Sequence, residues 1–142
     1  VRYRNGEEFS WHYDEVPPPN LTNGGQRLAT LLVYLNTVSE GDGGGTIFRD
    51  LRDQHNPNDP LCMKPKMGSA LLFFPAFADG RPDDRTLHKG ELINADTPGN
   101  EKWITQMWIH QHKYTPVVPS GNSHHAAMEP LKQVAQQLGY TK

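Results

Sequence analysis

Three residues of this chain have the types and spacing of a metal-ligand set. His12 and Asp14 lie two apart in Trp11-His12-Tyr13-Asp14, and His88 stands far downstream in Leu87-His88-Lys89-Gly90. A His-x-Asp pair with one distant histidine is the facial 2-His-1-carboxylate set that binds non-haem iron(II). In a strand, residues i and i+2 point to the same face, so His12 and Asp14 can reach one ion from one strand. His88 must then arrive from a distant strand of a folded scaffold. Three ligands on one face of an octahedron leave the opposite face open. That suits reaction at the metal, whereas a structural site closes its coordination shell.

The elements that must position these residues read as short strands. The chain has 142 residues, enough for one domain with a real core, and its 13 Gly and 12 Pro punctuate it into short pieces. Arg2 to Tyr3 and Phe9 to Asp14 read as strand, with a turn at Asn5-Gly6. Val16 to Asn20 (VPPPN) must be loop. Arg27 to Leu35 (RLATLLVYL) reads as a central strand. A glycine-rich turn, Gly41 to Gly45, precedes a short strand at Thr46 to Phe48, and Arg52 to Pro60 reads as an exposed loop. Ala70 to Phe74 is a strand, Ala78 to Arg85 a polar loop that delivers His88, and Lys102 to His112 the last long strand. With no βαβ alternation, about eight short strands predict an all-β fold, a double-sheet jelly roll. After Pro116 the character changes. Pro130 opens a helix whose apolar stripe is Leu131, Val134, Ala135 and Leu138 and whose stop is Gly139. The chain therefore divides into a catalytic domain over 1–115 and an extension over 116–142 with a short C-terminal helix near 130–138.

Composition narrows the function. Lys and Arg number 14 against 16 Asp and Glu, which argues against a nucleic-acid partner held by phosphate neutralisation. No apolar run has membrane-spanning length, so no membrane segment is expected. The single cysteine, Cys62, allows no internal disulfide. The chain begins at Val1 without a signal-like segment, and reads as an excised domain.

Taken together, YRNGEEFSWHYD from Tyr3, GGQRLATLLVY from Gly24, Gly44-Gly45-Thr46, KPKMGSALLFF from Lys64, LHKG from Leu87 and EKWITQMWIH from Glu101 resemble the catalytic domain of prolyl 4-hydroxylases. These are iron(II)- and 2-oxoglutarate-dependent dioxygenases. The resemblance covers most of the chain in order and implies a double-stranded β-helix, a jelly-roll variant. Family members carry helices ahead of the sheets, so a truncated segment is expected here. The resemblance implies Fe(II) on His12, Asp14 and His88, with Lys102 in its Lys-Trp context pairing the far carboxylate of 2-oxoglutarate. Such a buried charge requires a partner. Tyr3, Tyr34 and Trp108 match positions lining the co-substrate site, and Arg27 and His110 match positions facing the peptide groove. Phe9 stands where the family usually has tyrosine, and the linker at 93–100 is longer than usual. The implied reaction couples oxidative decarboxylation of 2-oxoglutarate to hydroxylation of a proline-containing peptide or protein, with ascorbate as the rescuing reductant. By family analogy a eukaryotic member works in the endoplasmic reticulum or secretory pathway. The loops 15–25 and 77–85 border the expected mouth and are candidate lids.

Other readings of the same residues compete. His110 and His112 alternate on one strand face and could mimic a metal pair, and His124-His125 could be a metal tract or a loop. Gly41 to Gly45 lacks the Gly-Lys-Ser/Thr of a phosphate loop and reads as a turn or bulge. Cys62 has no base partner suggested. The rival functions are a dioxygenase of the same chemistry acting on another side chain or a small molecule, and a non-catalytic metal-binding jelly-roll module.

Overall fold

The structure, a computed structural model, describes residues 1–94, 96 and 99–116. The helix expected near 130–138, the extension over 117–142 and His124-His125 lie outside the described residues.

Among the described residues there are eight strands: β1 Arg2–Arg4, β2 Phe9–His12, β3 Arg27–Tyr34, β4 Thr46–Arg52, β5 Pro60–Met63, β6 Ala70–Phe73, β7 His88–Gly90 and β8 Glu101–His110. They form two four-stranded antiparallel sheets, ordered β1-β8-β3-β6 and β2-β7-β4-β5. This is the all-β jelly roll expected from the sequence.

Burial explains the sheet faces. In β3 the side chains of Thr30, Leu32 and Tyr34 alternate inward, as do Lys102 and Ile104 in β8, and all five are buried. On the other face of the same sheet Leu72, Met107 and Ile109 remain exposed. Leu32, Tyr34 and Ile104 form a core cluster with Tyr3, Met63 and Leu71 against it. The sheets meet through Phe48 of β4 and Phe73 of β6, whose rings touch edge to face at 5.2 Å. Tyr34 adds a hydrogen bond from β3 to Thr46 of β4, 2.8 Å long.

Several strand boundaries differ from the sequence reading. β2 ends at His12, so Asp14 follows the strand instead of lying within it. β4 runs on to Arg52, and β5 occupies Pro60–Met63, at the end of a stretch read as loop. β5 is an edge strand, where a proline is tolerated, and its four residues, Pro-Leu-Cys-Met, are too few to show a strand period. The intervening turn is closed by Asp53, whose side chain accepts from the His55 amide at 2.7 Å. β8 ends at His110, two residues before the expected His112.

Candidate metal and co-substrate site

His12 and His88 are direct cross-strand partners in the β2–β7 pairing. Their ring centroids lie 4.2 Å apart. Asp14, 3% exposed, turns back from the loop after β2. Its Oδ1 lies 3.5 Å from His12 Nε2 and 3.8 Å from His88 Nε2. One ligand atom from each of the three residues lies within 4.8 Å of the others, and among the described residues this is the only such group.

Each ligand atom is aimed by a second hydrogen bond. His12 Nδ1 donates to the Ser10 carbonyl at 2.7 Å, and His88 Nδ1 to the Thr86 carbonyl at 2.8 Å. A carbonyl only accepts, so the proton sits on Nδ1 and the Nε2 lone pair is free for a metal. Asp14 Oδ2 accepts from Thr30 Oγ1 at 2.7 Å and from Trp108 Nε1 at 3.3 Å, which leaves Oδ1 facing the histidines. Thr30 and Trp108 are themselves cross-strand partners on β3 and β8. One sheet therefore carries the two imidazoles and the opposite sheet fixes the carboxylate. The His88 ring packs against Phe48 at 5.3 Å and Phe73 at 4.9 Å. Burial, opposed by the Thr86 hydrogen bond, lowers the His88 pKa, and His12 lowers it further. The imidazole is thus kept in the neutral form a metal needs.

A cavity adjoins the two histidines of the triad. Its lining includes His12 and His88, Tyr3, Phe9, Thr46, Gly90 and Lys102. Lys102 is 2% exposed. Its Nζ donates to the Gly44 carbonyl at 2.8 Å and sits 4.6 Å over the Tyr3 ring. Burial pushes the amine down to about 8, against the pull of Glu91 and Cys62. Glu91 is committed elsewhere, its Oε2 accepting from Lys64 Nζ at 3.3 Å and from the Gly45 amide at 3.1 Å. A buried ammonium with no direct carboxylate partner fits an anionic ligand. Two glycines make the room. Gly44, at φ 76, presents the carbonyl that Lys102 uses, and a Cβ there would meet Ile93 Cδ1 at 2.6 Å. A Cβ on Gly90 would stand 3.4 Å from Lys102 Nζ.

The remaining expected residues divide. Tyr3 lines this inner cavity, and burial raises its pKa. Tyr34 is fully buried behind it, its hydroxyl occupied by Thr46 Oγ1 at 2.8 Å and the Met63 carbonyl at 3.2 Å. Tyr34 thus touches the cavity only through Thr46. Trp108 lies outside the Lys102 cavity, beside Asp14 and under the Arg27 guanidinium at 3.8 Å. Its place is the outer mouth, a cavity of about 420 Å³ that also includes Tyr3, Phe9, Asp14 and Arg27. Arg27 also donates to the Asp14 carbonyl at 3.1 Å. His110 stacks on Tyr114 with centroids 4.4 Å apart, away from the triad cluster. Cys62 is half-buried and its thiol pKa is raised by burial, the opposite of a nucleophile's. The sequence reading missed Thr30, although a threonine amid the apolar run of β3 was a signal. It also gave no site role to Thr46 and Gly90, although both stand in the motif segments quoted above.

Comparison with known proteins places the chain in a family. Residues 1–110 match the 2OG-Fe(II) oxygenase superfamily. The chain belongs to that superfamily. This oxygenase chain is 34% identical over 137 residues to probable prolyl 4-hydroxylase 4 of Arabidopsis thaliana, covering 86% of this chain and 44% of that protein. It is 33% identical over 132 residues to prolyl 4-hydroxylase 2 of the same plant, covering 83% and 42%. The viral collagen prolyl hydroxylase of Paramecium Bursaria Chlorella virus-1, solved as a 2OG complex, superposes with a TM-score of 0.61 at 33% identity. That match covers 75% of this chain and 53% of the viral one. The oxygenase chain thus spans about half the length of the relatives it matches.

Proposed function

We propose that this chain forms the catalytic domain of an iron(II)- and 2-oxoglutarate-dependent peptidyl-proline 4-hydroxylase. The observation that carries the reading is a cluster of three convergent ligand atoms, two of whose residues, His12 and His88, line the same cavity as the buried Lys102. His12 Nε2, Asp14 Oδ1 and His88 Nε2 would hold Fe(II), whose preference for imidazole and carboxylate they match. Lys102 would pair the far carboxylate of 2-oxoglutarate, with Thr46 and Tyr3 completing the wall. Bound together, iron and 2-oxoglutarate would activate dioxygen, one of whose oxygen atoms would enter the substrate C–H bond and the other the succinate formed as carbon dioxide leaves.

The protein's own work is positioning. Thr30 and Trp108 hold the Asp14 carboxylate in one orientation, and the Ser10 and Thr86 carbonyls hold both imidazoles in one tautomer. Phe48 and Phe73 exclude water from the His88 side. The outer mouth between Tyr3, Phe9, Arg27 and Trp108 is wide enough for a proline ring of a peptide. Its nature supports peptide binding, because an arginine stacked on tryptophan offers a planar surface and hydrogen-bond donors at once. Ascorbate is the reductant proposed to restore iron oxidised when turnover uncouples.

The test is succinate formation from 2-oxoglutarate and Fe(II), with and without proline-rich peptides, using His88→Ala as the control. Peptide-stimulated succinate with a gain of one oxygen mass on proline is the expected result. Succinate without stimulation by any proline peptide would move the reading to another side chain or a small molecule. Iron and co-substrate binding without turnover would favour a binding module.

A further inference from the structure

The peptide unit between Gly44 and Gly45 is held at both ends by charged side chains. Its carbonyl, on Gly44, accepts from Lys102 Nζ at 2.8 Å. Its N–H, on Gly45, donates to Glu91 Oε2 at 3.1 Å. The two ends of a trans peptide point in opposite directions. Glu91 and Lys102 therefore stand on opposite sides of one amide, the carboxylate at its positive end and the ammonium at its negative end. Each strengthens the bond made by the other, because hydrogen bonds in a chain polarise one another.

Backbone and packing fit Glu91 to this place. Its own N–H donates to the Gly45 carbonyl at 2.7 Å, so Glu91 and Gly45 exchange two bonds just beyond the Thr46–Gly90 pair of β4 and β7. Gly44 and Gly45 are both buried. A buried N–H needs an acceptor, and the Glu91 carboxylate supplies it for Gly45. A Cβ on Gly45 would lie 2.7 Å from Cys62 Sγ and 3.0 Å from Glu91 Oε2, so only glycine leaves the carboxylate its room. The same glycine frees the amide. With Gly44 at φ 76 on one side and Gly45 on the other, no Cβ opposes a flip of the peptide. A flipped amide would turn its N–H toward the Lys102 ammonium and its carbonyl toward the carboxylate, two repulsions in place of two bonds.

We propose that Glu91 is a positioning residue for the co-substrate: its carboxylate locks the Gly44–Gly45 amide, so that the Gly44 carbonyl holds the Lys102 ammonium in place at the cavity wall. The inference rests on the pairing of Lys102 with the far carboxylate of 2-oxoglutarate proposed above. The ion pair of Glu91 with Lys64, at 3.3 Å, is accessory, because the lysine side chain is more than half exposed and exposed pairs contribute little.

The test is calorimetric titration of the iron(II)-loaded chain without oxygen. Two ligands are compared: 2-oxoglutarate, and 2-oxobutanoate, which has the same 2-oxoacid end and no far carboxylate. Glu91→Ala and Glu91→Gln remove the same charge, but only glutamine keeps an oxygen for the Gly45 N–H. Glu91→Ala should weaken 2-oxoglutarate by about tenfold, the effect of losing one hydrogen bond to a charged group, and leave 2-oxobutanoate and iron(II) within about twofold of native. Glu91→Gln, with a weaker neutral bond, should stay within about threefold of native for 2-oxoglutarate. Lys64→Met should stay within about twofold. Hydrogen exchange of the Gly45 amide should quicken in Glu91→Ala and much less in Glu91→Gln, a readout that needs no co-substrate. Native affinity for 2-oxoglutarate in Glu91→Ala, equal losses in the alanine and glutamine variants, or equal losses for the two ligands would overturn the inference and leave the co-substrate site standing. If Lys102→Met binds 2-oxoglutarate as tightly as the native chain, the pairing itself fails and the inference falls with it.

Discussion

His12 and His88 face one another across the β2–β7 pairing, and each ring is turned by the carbonyl two residues before it, Ser10 and Thr86 respectively. The register of two short strands thus sets the separation of the imidazoles, and local backbone bonds set their tautomers. Asp14 is not part of that pairing. Its orientation comes from Thr30 and Trp108 on the opposite sheet.

That division predicts a graded effect at the carboxylate. Thr30→Val removes the shorter of the two bonds to Asp14 and keeps the shape of the side chain. Iron(II) affinity should fall by about tenfold or more, the range seen when groups that orient metal ligands are removed. Trp108→Phe removes the longer bond and should cost less. Metal titration under anaerobic conditions checks both, and equal affinities in all three proteins would refute the assignment.

The proposed pairing of Lys102 with 2-oxoglutarate makes co-substrate binding depend on pH. Its free amine is charged below about 8 and neutral above. A dicarboxylate binds the charged form, so KM for 2-oxoglutarate should be flat below about pH 8 and rise above it. Stability of the unliganded protein should move the other way. In the unfolded chain the lysine titrates near 10.4. Between about 8 and that value the unfolded state binds more protons, so stability increases with pH across the window. Lys102→Met should abolish this rise and raise KM at every pH. Initial rates and chemical denaturation across the window check the two signs.

Gly90 predicts a steric effect distinct from the electrostatic one. A Cβ there would sit 3.4 Å from Lys102 Nζ and 3.5 Å from Phe9 Cβ, a tolerable contact for the fold. It occupies the inner cavity all the same. Gly90→Ala should therefore keep its thermal midpoint within a few degrees and weaken 2-oxoglutarate binding, with Gly90→Val weaker again. Calorimetric titration of the co-substrate, beside a melting curve, separates the two effects.

The aromatic support of His88 predicts a loss of stability. Phe48 is fully buried and contacts both Phe73 and His88. Phe48→Ala should cost about 3–5 kcal/mol, the range for a large aromatic removed from a core. Denaturant unfolding measures it. A cost below about 1 kcal/mol would mean that the ring does not hold the sheets together.

The sequence made the ligand set legible because its members are chemically distinctive and two of them are neighbours. The long strands β3 and β8 were equally legible, the first as a β-rich and mostly apolar run and the second by its alternation. β5 was not, because its four residues, Pro-Leu-Cys-Met, open on a proline and are too few to show a strand period. Asp14 was assigned to the strand of His12, as period two suggests. The chain instead leaves β2 at His12, and a long-range bond from Thr30 does the aiming. Tyr34 and Trp108 were placed beside the co-substrate by resemblance. The structure puts the first behind Thr46 and the second at the mouth under Arg27. No local pattern reports which of two cavities a side chain will face, because that depends on how the sheets are packed.

His12 and His88 of the triad line the same cavity as Lys102, so iron(II) and 2-oxoglutarate should bind there together. Anaerobic addition of both should produce the visible charge-transfer absorption of an iron(II)–2-oxoacid chelate, saturating at one iron per chain. The band should vanish in His88→Ala and need far more 2-oxoglutarate in Lys102→Ala. Absence of the band in the native chain, or its persistence in His88→Ala, would contradict the account.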